Sequence, residues 1–171
     1  MPRKNCVEEL ITEIRDALNH KLYVVAVMAS LTLPDMCAAL EKENFWATNK
    51  SYANWCRQNL PAQFFSLATP ELMKEMRNNL LHTGRLDDAS EAGTGRLVLT
   101  LPNPSVRITN CRCNETFLTD VNDFCHGLCC AAENWMERNR NNDTVRRNLE
   151  LMVQHRENGL APYISGIGVI A

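Results

Sequence analysis

A chain of 171 residues with 45% hydrophobic content is long enough for one domain with its own core and too apolar to be disordered. Its net charge of −2 offers no global attraction to polyanions, which argues against a tight, processive nucleic-acid binder held by bulk charge. Eight cysteines would suit a disulfide framework only in a secreted chain, and the start, Met1 to Cys6, runs straight into an amphipathic helix with no apolar leader core, so free thiols in a soluble cytoplasmic protein are expected.

Val7, Leu10, Ile11, Ile14 and Leu18 recur at helical spacing and predict a first helix over about 7–18 that packs by that stripe. The run from Leu22 to Leu33 is apolar nearly all round, as in the central helix of a bundle, and too short to span a bilayer before Pro34 kinks or ends it. Asp35 then reads first as a dipole partner in the opening turn of a new helix, with a role in orienting Arg77 or His82 as the alternative. Residues 41–50 are polar. Ser51 to Leu60 predicts a short helix with Tyr52, Trp55 and Cys56 inward, closed by Pro61.

The clearest element is Thr69 to Gly84. Thr69 is a good N-cap, Pro70 fits the first helical position, Glu71 and Glu75 lie toward the positive end of the dipole, and Gly84 can take the left-handed stop. At about 100° per residue, Leu72, Met73, Met76 and Leu80 share one face. Arg77, Asn78 and His82 fall on the other side, the last two one turn apart, so a cation, an amide and a titratable imidazole are predicted to line one exposed strip.

Asp87, Asp88, Ser90, Gly93 and Gly95 predict a polar loop, and 96–101 with 105–109 a β-hairpin turned at Pro102-Asn103-Pro104, over about 96–110. Thr119 or Asp120 caps a second long core helix carrying Val121, Phe124, Leu128, Trp135 and Met136. A last helix is expected over Thr144 to Gln154, followed by an apolar tail, 160–171, docked on the body or used between subunits.

Arg77-Asn78-Asn79-Leu80-Leu81-His82 resembles the Arg, polar residue, three more, His motif of the HEPN superfamily. The stretches Leu33 to Glu41 and Asp120 to Cys125 leading to Trp135 resemble uncharacterised HEPN-like proteins as well. Arg15-Asp16-Ala17-Leu18-Asn19-His20 satisfies the same pattern, but its cations suit the end of their own helix. The resemblance implies a mainly α fold, a HEPN-like helical bundle with the hairpin inserted, as a single domain over 1–171. It further implies a metal-independent endoribonuclease without cofactor, with Arg77, Asn78 and His82 catalytic, acting on single-stranded RNA at a composite homodimer site. The alternative is a non-catalytic interaction or nucleotide-binding module with an antitoxin-like protein partner, such as a minimal nucleotidyltransferase.

Two further clusters have plainer readings. Cys111-Arg112-Cys113 with Cys125, Cys129 and Cys130 suggests zinc, but there is no Cys-x-x-Cys knuckle and 125 and 129 are needed for packing, so buried thiols are expected. Arg138, Arg140, Arg146 and Arg147 are interleaved with acids, as in a solvated, salt-laced face.

Overall fold

The computed structural model describes residues 5–65, 69–86, 96–114 and 116–171. The protein is mainly α, with small β pieces inserted between and after its helices. Helix α1 (Cys6–Asn19) opens with a capping box in which Asn5 and Glu8 satisfy one another's backbone N–H groups, and it buries Val7, Ile11, Ile14 and Leu18. It ends in a Schellman motif: Leu22 N–H reaches Ala17 O (2.8 Å) and Lys21 N–H reaches Leu18 O (3.0 Å). Lys21, not glycine, takes the left-handed position there, with φ 59°.

Helix α2 (Tyr23–Leu40) is the axis of the fold, packing against α1 and against α3 (Asn49–Asn59), α5 (Pro70–Thr83), α6 (Val121–Arg138) and α7 (Asp143–Glu150). A one-turn helix, α4 (Ala62–Phe65), precedes α5. Pro34 does not start a new helix, the second of its two predicted roles: α2 runs on through it to Leu40. Pro34 removes one backbone donor, and the hydroxyls of Ser30 and Thr32 bond the carbonyls of Val27 and Ala29 nearby (3.0 and 2.7 Å). At 18 residues, α2 is long and apolar enough to cross a membrane by length and composition, which the shorter predicted run was not. Half of it is buried inside the protein, the setting of a central core helix.

Helix α6 is the second core helix, as expected, capped by Asp120, whose carboxylate accepts from the N–H groups of Asn122 and Asp123. Trp135 is buried, and its indole N–H donates to Glu41 at 2.8 Å. Gly127 lies where the Phe64 ring presses onto α6; a Cβ there would stand 2.5 Å from that ring. The Phe64 ring in turn lies 5.8 Å from that of Phe124.

The strand pairing differs from the expected hairpin. Strand β1 (Arg96–Thr100) pairs parallel with β3 (Thr116–Asp120), which pairs antiparallel with β2 (Cys111–Cys113) in the order β1-β3-β2. Residues 105–109 form no strand; Arg107 and Thr109 instead bind Asp123 on α6, and Ile108 O accepts from Asp120 N–H. The turn chemistry of Pro102-Asn103-Pro104 is local, whereas a parallel pair is decided by distant residues. The predicted polar loop at 87–95 lies outside the described residues.

The last helix, α7, stops at Glu150, short of the expected Gln154. The tail folds back on itself: β4 (His155–Arg156) pairs with β7 (Val169–Ile170) and β5 (Gly159–Leu160) with β6 (Ile164–Ser165), beside α1. Gln154 and Ala171 exchange backbone hydrogen bonds of 2.9 and 3.0 Å.

Asn148 ties α7 to the core. It is buried, and its amide donates to Leu40 O (3.0 Å) and Lys42 O (2.8 Å), the carbonyls where α2 ends. Asn148→Ala strands two carbonyls and is expected to cost about 2 kcal/mol. Asn148→Asp, which sets a carboxylate against them, is expected to cost more. Urea titrations of both variants check the order.

Candidate functional site around Arg77

Helix α5 has the caps the sequence called for. Thr69 Oγ1 accepts from Leu72 N–H at 3.2 Å, Pro70 is the first helical residue, and Gly84 closes the end at φ 73°. Met73, Met76 and Leu80 are buried. Arg77, next to Met76, lies at the flank of that buried face. It is not the exposed cation that the helical wheel suggested: its side chain is only 17% exposed.

The Arg77 guanidinium forms an ion pair with Asp35 of α2. One of its N–H groups donates to Asn78 Oδ1 at 2.7 Å, and its central carbon lies 5.5 Å from the centroid of the Tyr52 ring on α3. Burial pulls the Arg77 pKa down from its ordinary value. Its Nε is buried and has no partner among the described residues. Three elements therefore fix one guanidinium plane. Asp35 is not a dipole partner in a first turn, because α2 continues through Pro34 and leaves it near the helix C-terminal end; it orients Arg77, the lesser of its two predicted roles.

Asn78 is half-buried and committed to Arg77, while His82 stands exposed in the last turn of α5 with no hydrogen bond among the described residues. The predicted strip is thus divided. Asn78 joins a half-buried arginine on one side to an open imidazole one turn further along.

The competing pair is absorbed by structure. Arg15 makes two bonds to Glu133, 2.7 and 2.8 Å, that tie α1 to α6, and His20 Nδ1 lies 2.8 Å from Asp16 O at the end of α1.

No protein-family model, curated protein or solved structure matches this chain.

Arg77 and Asp35 also form one wall of a cleft of about 690 Å3 whose other lining residues include Met36, Phe45, Trp46 and Met152. Phe45 has φ 50°, a left-handed conformation that costs a bulky residue on the order of 1 kcal/mol or more. It packs against the core, and its neighbour Trp46 is left 71% exposed at the cleft. Neither Trp46 at the cleft nor Tyr52 as a platform for a cation follows from the helical periodicity or the motif. The available signal was a pair of aromatics inside an otherwise polar turn.

Among the described residues no group of three or more His, Cys, Asp or Glu comes together as a metal cluster. Cys111, Cys113 and Cys130 are exposed, whereas Cys37, Cys56, Cys125 and Cys129 are buried. Desolvation raises the pKa of Cys37 and pushes Cys56 and Cys129 to about 12 and Cys125 to about 11. The basic residues near the end of α6 and in α7 are interleaved with partners: Arg140 with Glu137 (3.0 Å), Arg146 with Asp143 (3.7 Å) and Arg147 with Glu43 (2.9 Å).

Two outcomes follow. In the folded protein at pH 8 a thiol-reactive disulfide is expected to modify Cys111, Cys113 and Cys130 rapidly and the four buried cysteines only on unfolding, as peptide mapping would show. A double-mutant cycle on Asp35→Ala and Arg77→Ala is expected to give a coupling of about 2 kcal/mol, against less than about 1 kcal/mol for Arg15→Ala with Glu133→Ala, whose side chains are 37% and 43% exposed. Chemical denaturation measures both; equal couplings would remove the distinction between the two pairs.

Proposed function

We propose that this protein is a metal-independent endoribonuclease of the HEPN type, cleaving single-stranded RNA at a composite site made by two copies of the chain. The observation that carries the reading is the fixed Arg77 guanidinium, held by Asp35, Asn78 and Tyr52 in the same helix that presents an exposed His82 five residues later.

Two α5 helices meeting across a two-fold axis put two Arg77, Asn78 and His82 sets into one groove. One His82 accepts the proton of a ribose 2′-OH, and the 2′-oxygen attacks the adjacent phosphorus. The bond from phosphorus to the 5′-oxygen breaks, and the partner's His82, or water, supplies the proton to the leaving oxygen. Arg77 stabilises the charge on the phosphoryl oxygens, and Asn78 keeps the guanidinium aligned. The products are a 2′,3′-cyclic phosphate and a 5′-hydroxyl.

A second reading, a non-catalytic HEPN-like interaction or nucleotide-binding module, is favoured by one observation: Asp35 already balances the Arg77 charge. The two separate in a cleavage assay on single-stranded RNA in EDTA. The enzyme reading expects wild-type cleavage to cyclic phosphate ends, a loss on the order of 10²–10⁴-fold in His82→Ala and in Arg77→Ala, and no loss in Arg15→Ala or His20→Ala. A wild type that binds RNA without cutting it supports the module. Sedimentation accompanies the assay, since a strict monomer that still cleaves rules out the composite groove.

A further inference from the structure

Apart from Arg77, the cleft is built on residues that the cleavage chemistry does not use, and its two halves differ in character. One half is aromatic and apolar: the Trp46 indole at the rim, with Met36, Phe45 and Met152 lining the space beneath. The other half is the guanidinium of Arg77 with its ion-pair partner, the Asp35 carboxylate. Of its five N–H donors, one is given to Asn78 and one to Asp35, which leaves donors on the terminal nitrogens for an incoming acceptor. Thr48 and Asn49, the N-cap and first residue of α3, complete the wall.

We infer that this cleft is a nucleotide subsite, in which one unpaired base of a single-stranded RNA lies on the Trp46 indole while its phosphate is held by Arg77. The volume of about 690 Å3 is in the range of small-ligand clefts. A planar base matches the indole and the thioether floor, and a phosphate matches the remaining guanidinium donors; a purely apolar ligand would leave those donors unmet. A base inside a duplex has both faces covered and cannot reach the indole, so the subsite selects single strands. The inference rests on RNA being the ligand, but it assigns Trp46 a positioning role that cleavage itself does not require. Arg77 is then shared, with the subsite on the cleft side and His82 toward the helix end.

Fluorescence tests it directly, because Trp46 is exposed while Trp55 and Trp135 are each only 2% exposed, so a ligand in the cleft acts on one tryptophan. The probe is a 2′-O-methyl RNA oligonucleotide, which lacks the 2′-hydroxyl needed for cleavage. It is expected to quench Trp46 emission, and to bind at least about fivefold more weakly to Trp46→Ala than to wild type, with Trp46→Phe intermediate. Arg15→Ala, whose side chain is engaged by Glu133 away from the cleft, should be quenched like wild type, and the same sequence as a duplex should quench neither. Equal affinity of wild type and Trp46→Ala for the single strand, or quenching by the duplex, would overturn the subsite. Because the probe cannot be cut, absence of ribonuclease activity on ordinary RNA bears on the cleavage reading alone.

Discussion

One half-buried ion pair governs the end of this protein where Arg77 and His82 lie. Asp35 and Arg77 stand on helices that already pack against each other, and both are largely withdrawn from water, at 25% and 17% side-chain exposure. Neither charge is comfortable there alone, because a desolvated ion without its counterpart costs several kcal/mol. Their mutual need sets how α5 is rotated on α2, and Tyr52 beneath the guanidinium brings α3 into the same arrangement. Everything further along α5, including the direction in which His82 points, inherits that rotation.

The same pair separates two occurrences of one sequence pattern. Arg15 and His20 have the spacing of Arg77 and His82 and also lie at the end of a capped helix. Arg15, however, meets Glu133 at the surface, where an ion pair contributes little, and the His20 ring bonds a carbonyl of its own last turn. Spacing alone could not tell the copies apart. The difference lies in what faces each arginine from another helix, a property of packing and not of the motif.

Much of the fold was legible in the residues themselves. Thr69, Pro70 and Gly84 state the limits of α5, Asp120 starts α6, and the apolar periodicities give the buried faces of α1 and α6, because caps and stripes are local chemistry. What was not legible depended on distant partners. The continuation of α2 through Pro34 is secured by the elements packed around it, and the parallel pairing of β1 with β3 joins residues 20 positions apart, which no turn signal announces. At the site, the helical wheel found Arg77, Asn78 and His82 but pictured all three in solvent, since a wheel shows angular position and not what stands opposite.

The inserted sheet has a mechanical meaning for the end of α5. A helix terminus ordinarily frays, and an imidazole in its final turn would wander with it. Here Leu80 and Leu86 share an apolar groove with Leu99 and Leu101 of and after β1, and the Leu97 amide reaches back to the Leu86 carbonyl at 3.4 Å. The strands thus act as a buttress under the last turn, restraining the backbone that carries His82.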